Sequence, residues 1–350
     1  MKRTIFSVFK NLFFLFLGVG LLWLITKNQD IDEMIRIFKN ADFLWVGIAI
    51  IAGIFSHIFR ALRWNMLISS LGYETKTSTT FYAVMIGYFA NYAIPRIGEI
   101  TRCGIISKQN KIPLNAVIGT VIIERAFDMI VLAIIILATI LLQLDFLGGF
   151  VYRFFIDPVS EKISNNQNFV LIIISVIVII GVLSYLFYRY FLPKLLHLSL
   201  FQKIKSLFDG FFTGIKSIKK VKSLSLFFLH TVIIWTFYTL MVYLPFFSFG
   251  ETSHLTFGDA ITIMAMGSLG IVAPIPGGIG SYHFIVITVM VKVFHIAEDI
   301  STTFAYLVHT SQTVMIILIG GLSYLILFLL NKKSVAHAND GDNKNQSSQQ

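Results

Sequence analysis

The chain has 350 residues, of which 56% are apolar, 15% aromatic and only 13% charged. Soluble domains carry about 25% charged residues, and apolar runs long enough to cross a bilayer as helix, about 18 residues or more, recur along the sequence, so a water-soluble enzyme is excluded. The net charge of +10 would suggest a nucleic-acid partner in a soluble protein; in a membrane protein it marks cation-rich cytoplasmic loops, and no nucleic acid is expected.

In chain order, Met1-Lys2-Arg3 and Lys10 precede an apolar run from about Asn11 to Ile25 that lacks a small-residue cleavage site, so it reads as a retained span rather than a signal peptide. Further spans are predicted at about Phe43 to Leu62, Leu114 to Leu142, Phe169 to Tyr190, Leu224 to Phe249 and Thr303 to Leu330. Two apolar stretches break instead of crossing. Thr79 to Ile94 runs into Pro95-Arg96-Ile97-Gly98-Glu99, and Phe257 to Ala273 runs into Pro274-Ile275-Pro276-Gly277-Gly278-Ile279-Gly280. Proline removes a helix donor and glycine permits backbone angles closed to other residues. The single Cys103 and the scattered histidines show no C-x-x-C or H-E-x-x-H spacing, so no metal or other cofactor is expected. Residues 331–350 are polar and read as a disordered cytoplasmic tail.

Charge decides the threading. If both broken stretches are re-entrant hairpins, most of the 28 Lys and Arg residues collect on the cytoplasmic side with both termini, and most of the 18 Asp and Glu residues face the other side. If Thr79 to Ile94 crossed alone, Lys216, Lys219, Lys220 and Lys222 would lie outside, against the positive-inside rule. The expected fold is therefore an all-α polytopic membrane protein with six full spans and two re-entrant helical hairpins. Span, span, hairpin, span occurs twice with opposite orientation, giving one domain of inverted halves at about 7–145 and 165–330. Pro95 and Pro276 lie 181 residues apart, and paired interruptions of this kind point to a transporter's midplane site. Packing alone can also accommodate Pro and Gly in membrane helices.

Glu124, Arg125 and Asp128 sit about ten or more residues into their span, at about 1.5 Å per residue some 15 Å deep. Ionisable groups there are costly. Arg125 can meet Asp128 three residues on, while Glu124 and Asp128 repel unless a cation or proton is shared; a structural ion-pair lock and a role in substrate or proton handling both stand. Arg96, Glu99 and Arg102 share one helical face, and their guanidiniums suit a phosphate; Arg102 also reads as an interfacial anchor. Gly277, Gly278 and Gly280 open a helix whose unpaired N–H groups favour an anion. Arg60 and Arg63 are expected to reach the lipid headgroups with Trp64 in the interfacial belt, a specific gate being the alternative. His283 and His309 read as packed polar residues or as proton carriers, and His57 and His230 as packed residues.

These stretches, taken together, carry a resemblance. Arg60-Ala-Leu-Arg63-Trp64, Gly87-Tyr-Phe-Ala-Asn91-Tyr-Ala-Ile-Pro95-Arg96-Ile-Gly98-Glu99-Ile-Thr-Arg102, Glu124-Arg125-Ala-Phe-Asp128 and Pro274-Ile-Pro276-Gly277-Gly278-Ile-Gly280 resemble the ordered motifs of the lysylphosphatidylglycerol synthase transmembrane-region family, also called the flippase-like domain family. The resemblance covers about Asn11 to Leu330. It implies a multi-pass protein of the prokaryotic cytoplasmic (inner) membrane that acts on lipids, and a substrate path including Asn91 with the charged and glycine positions named above. Two positions depart from the family: His283 stands where a Glu is frequent, and His309 where an Arg is. No soluble synthase domain is expected after Leu330, so aminoacyl transfer is not.

The function expected is movement of a phospholipid or isoprenoid-linked headgroup between leaflets. Its rivals are an intramembrane enzyme using Glu124 or Asp128 as base, and a scaffold recruiting a lipid-modifying synthase through the loop Lys194 to Lys222. The partners expected are membrane lipids, a further copy of the chain, and a separately encoded lipid-biosynthesis enzyme. Reporter tags at Lys108 and Lys220 are predicted to report the same, cytoplasmic face; opposite faces would overturn the two-hairpin threading.

Overall fold

A computed structural model describes residues 16–27, 29–94, 96–142, 221–273 and 275–347, with the last turns of the final helix, from residue 333, described as backbone only. The expected span Phe169 to Tyr190, most of the lysine-rich loop, Pro95 and Pro274 lie outside the described residues. All regular structure among the described residues is helical: α1 (Phe16–Thr26), α2 (Ile31–Asn40), α3 (Phe43–Ser69), α4 (Thr77–Ala93), α5 (Ile97–Asn110), α6 (Leu114–Leu142), α7 (Leu224–Tyr243), α8 (Phe257–Val272), α9 (Ser281–Lys292) and α10 (Glu298–Ser347). Short 3-10 turns follow α7 and precede α9.

Among the described residues, three helices are long and apolar enough to cross a membrane: α3, the stretch Leu224–Ser248 that includes α7, and Glu298–Lys332 of α10. α1 and α8 are shorter apolar helices, and α6, 29 residues long, carries the buried acid Glu124. The helix α10 continues to Ser347, so the backbone of 331–347 is helical where composition suggests a disordered tail; each residue added to an existing helix gains a hydrogen bond without the cost of a new nucleus. Sequence reading offered no separate helix at Ile31–Asn40. Asp30 starts it by accepting from the amides of Asp32 and Glu33 at 3.0 and 3.1 Å, and none of its residues is buried.

The chain divides into two compact units, Met1–Arg125 with Ile218–Gln350, and Ala126–Ser217. The first unit takes residues from both of the expected sequence halves, because α3 packs along α7 and α4 along α10. Within it α3, α7 and α10 meet at Gly53, where an added Cβ would lie 2.9 Å from Met241 Cε and 3.0 Å from Met315 Sδ. Phe55 stacks on Phe237 with ring centroids 5.7 Å apart. At the crossing of α4 and α10, a Cβ on Gly320 would lie 2.9 Å from the Met85 carbonyl oxygen. Small residues at such crossings are how membrane helices gain close packing where lipid is as apolar as the side chains.

Helices α4 and α5 form one hairpin, and α8 and α9 another. In the first, Ile94 is extended (φ −139°, ψ 120°), the conformation that a following proline imposes. Arg96 is then left-handed at φ 65°, ψ 8°. In the second, Ile275 is extended before Pro276 and Gly277 is left-handed at φ 60°, ψ 7°. The arms of the first hairpin touch backbone to backbone: a Cβ on Gly98 would lie 1.9 Å from the Gly87 carbonyl oxygen, and the Gly98 amide donates to Asn91 Oδ1 at 2.7 Å. In the second, Gly270 lies against Ser281 and Tyr282, and the Ser281 hydroxyl donates to the Gly270 carbonyl at 2.6 Å.

Gly98→Ala is predicted to force these arms apart and lower stability by about 1–3 kcal/mol or more, as overpacking does; thermal unfolding in detergent against wild type measures it. Gly104→Ala, where a Cβ meets nothing within 4 Å, is expected to leave the melting temperature unchanged or raise it slightly.

Candidate functional site

The charge cluster begins with Glu124, whose side chain is completely buried on α6. An isolated carboxylate in apolar surroundings is prohibitively costly, so cations have to come to it. Helix α3 sends Arg60, with Nη2 2.7 Å from Glu124 Oε1, and Arg63, 3.9 Å from the same oxygen. Helix α5 sends Arg102, whose Nη1 donates to Oε2 at 3.0 Å. The Arg102 guanidinium also lies over the Trp64 ring, 4.6 Å from its centroid, and the Trp64 indole donates to Thr120 Oγ1 at 2.9 Å, one turn before Glu124. Arg60 extends the network to Tyr238 on α7 at 2.9 Å and Arg63 to Thr231 at 3.1 Å.

Beside this lies a second, more exposed pair, Arg125 Nη2 to Glu99 Oε1 at 2.8 Å. Val84, Gly87, Tyr88, Asn91, Gly98, Glu99, Arg102 and Arg125 enclose a cavity of ≈ 10 Å³, room for about one water molecule. Around it Arg102 Nε and Nη2, Arg125 Nε and Glu99 Oε2 are buried without hydrogen-bond partners among the described residues. Asp128 follows Glu124 by four residues on α6 and falls in the second unit.

The other predicted residues gather at the second hairpin. His309 Nε2 lies 2.9 Å from the Gly277 carbonyl oxygen, the Gly280 amide donates to His283 Nδ1 at 3.3 Å, and the two imidazole centroids are 4.6 Å apart. Gly278 is buried and, like Gly277 and Gly280, has positive φ. The two hairpin tips touch. Gly277 lies so close to the Tyr92 ring that a Cβ there would come within 2.5 Å of it, while Arg96 Nη2 donates to the Val272 carbonyl at 3.4 Å. That carbonyl ends α8, where the negative end of the helix dipole favours a cation.

The family described as the lysylphosphatidylglycerol synthase TM region matches residues 11–320. The chain belongs to this family. It is 24% identical over 297 residues to a UPF0104 membrane protein of Pyrococcus horikoshii, covering 77% of this chain and 84% of that one. It is 29% identical over 130 residues to a UPF0104 membrane protein of Methanocaldococcus jannaschii, 36% of each chain, and 28% identical over 120 residues to the glycosyltransferase AglD of Haloferax volcanii, 34% of this chain and 19% of that protein. The aligned part thus spans about a third and a fifth of the length of these last two relatives. No solved structure matches.

As a member of this family of membrane proteins, the chain uses its motif residues differently from the sequence reading in three respects. Arg60, Arg63 and Trp64 point into the protein and not outward toward lipid headgroups: they are 3%, 0% and 0% exposed, the two arginines turned toward the buried Glu124. Arg102 is no interfacial anchor for the same reason. Where spacing offered Arg125 a partner in Asp128, its ion pair at 2.8 Å is to Glu99 across the hairpin. The missed signal was arithmetic: a deep carboxylate calls for cations, and Arg60, Arg63 and Arg102 recur at helical spacing on flanking helices. His57 packs against Tyr88 and His230 against Phe59.

Glu124→Ala is predicted to remove the buried carboxylate that Arg60, Arg63 and Arg102 share and to cost about 3–5 kcal/mol, as loss of one partner of a buried pair does. Yield and thermal stability in detergent should fall sharply, whereas Glu33→Ala, which removes a surface partner of Arg36, should change neither measurably.

Proposed function

We propose that this protein is a lipid transporter of the flippase type, moving the headgroup of a phospholipid or isoprenoid-linked lipid between leaflets while the tails stay in the bilayer. The observation that carries the reading is Arg102. It is 3% exposed, spends Nη1 on Glu124, and keeps Nε and Nη2 without hydrogen-bond partners among the described residues, beside the small cavity at the hairpin crossing. A buried unpaired donor costs about 1–3 kcal/mol, more where it is charged. Such a group is retained where a ligand completes it, and the planar fork of a guanidinium fits two oxygens of a phosphate. Arg125, Glu99 and Asn91 on the same cavity supply further donors and acceptors for a polar headgroup.

Support for two re-entrant hairpins in an inverted repeat comes from the matching left-handed residues Arg96 and Gly277, each directly after a proline of the pair 181 residues apart. Rocking of the two halves would then expose the tips alternately to either side. The relative named a glycosyltransferase favours a glycosylated lipid among the candidate cargoes. Glu124 suits a structural anchor better than a catalytic base, since it already faces guanidiniums on both oxygens.

Purified protein in vesicles of phosphatidylcholine and phosphatidylglycerol, doped with fluorescent phosphatidylglycerol or a fluorescent glycolipid, is expected to accelerate transbilayer movement of at least one of them. Arg102→Gln and Arg125→Ala should slow it by about tenfold or more, the equivalent of one charged hydrogen bond. Chemical conversion of the lipid with no movement would overturn the transporter reading in favour of an enzyme.

A further inference from the structure

His283 is the third residue of α9 and Gly280 is its N-cap. Reaching back from that position to the cap amide is ordinarily done by a Glu or Gln side chain, which remains an acceptor throughout the physiological range. An imidazole nitrogen accepts only while it carries no proton. The Gly280 amide donates to His283 Nδ1, so that nitrogen is bare and the ring's hydrogen sits on Nε2. At His309 the partner is the Gly277 carbonyl, which can only accept, so Nε2 carries a hydrogen and donates. The backbone of one glycine turn thus places a hydrogen on Nε2 of both rings and holds His283 neutral, with the two rings in contact.

The turn they hold is tightly seated. A Cβ on Gly280 would lie 2.2 Å from the Gly18 carbonyl oxygen of α1, and Gly277 is pressed against Tyr92 of the first hairpin. The titratable groups in contact with the pair are Tyr282 of α9 and Tyr306 of α10, with Tyr92 against Gly277 and Arg96 at the opposed tip. Among the described residues no carboxylate forms an ion pair with either imidazole.

We propose that His283 and His309 form a proton-binding site that holds the second hairpin tip while neutral and releases it when protonated. A proton arriving at His283 Nδ1 forms an N–H bond there and sets two donors against each other, so the bond to Gly280 is lost and the cap of α9 opens. His309 keeps its Nε2–H bond to Gly277 in either charge state and can carry the incoming proton on Nδ1. Two adjacent imidazolium rings repel, so the pair takes one proton at a time. The positive charge gained has no carboxylate paired with it among the described residues and is complementary to an anionic headgroup. This rests on the transporter reading, in which the tips move; the lock itself does not depend on it.

Hydrogen exchange of the detergent-solubilised protein, corrected for intrinsic rates, tests the lock directly. Residues 275–284 are expected to exchange about tenfold faster at about pH 5.5 than at about pH 8, with α3 unchanged, since imidazole titrates across that range. His283→Gln, whose carboxamide oxygen accepts at either pH, should abolish the difference. Equal protection of the wild-type tip at both pH values, or a difference that survives in His283→Gln, overturns the proposal; if that variant fails to fold, the wild-type comparison decides. In the phosphatidylcholine and phosphatidylglycerol vesicles, lipid movement should rise as pH falls. Movement with a pH-independent tip overturns the lock alone, and a tip that opens with no lipid movement at any pH overturns the transporter reading alone.

Discussion

A single buried carboxylate organises the first half of this protein. Glu124 cannot stay charged inside an apolar bundle without cations, and the cations that reach it come from other helices. Arg60 and Arg63 of α3 and Arg102 of α5 therefore have to turn inward, which fixes how α3, α5 and α6 meet. The same arginines then reach Tyr238 and Thr231, so the constraint extends to α7 in the other half of the sequence. Buried ion pairs of this kind contribute little net stability compared with an apolar core of the same volume. Their effect is selective: a helix arrangement that leaves any one of these charges unmet is heavily penalised.

The second constraint belongs to the backbone. A helix that stops at a proline leaves amides and carbonyls that lipid cannot satisfy, so each broken stretch folds back on itself, and glycine lets the arms come close enough to do so. Gly87 against Gly98 and Gly270 against Ser281 are the two crossings. They bring the loose ends to one place, where Tyr92 covers Gly277 and Arg96 covers the end of α8.

The two tips then differ in chemistry. The first carries Arg96, whose guanidinium stays charged at any physiological pH. The second has imidazoles in contact with the backbone of its glycine turn. Under the proposed function, the arginines would hold the cargo's phosphate and the imidazoles would respond to protons, so the two roles would fall to different hairpins.

Much of this was legible without coordinates. Composition gives the membrane class, because so few charges cannot solvate a surface. Proline and glycine mark both breaks, because they act on the backbone of the residue itself and its neighbour. Glu124, Arg96, Glu99, His283 and His309 are recognisable because polar groups in apolar runs are expensive wherever they fall. The partners were not legible. Helical spacing says which residues share a face but not which helix that face meets, so Arg60 and Arg63 read as headgroup contacts and Arg125 as a partner of Asp128. The inward turn of α3, the ion pair between Arg125 and Glu99, the unpaired donors of Arg102 and the tautomers of two histidines were decided only when the helices packed. Each depends on a distance between residues far apart in the chain, and the energy of an ion pair or a hydrogen bond exists only at that distance.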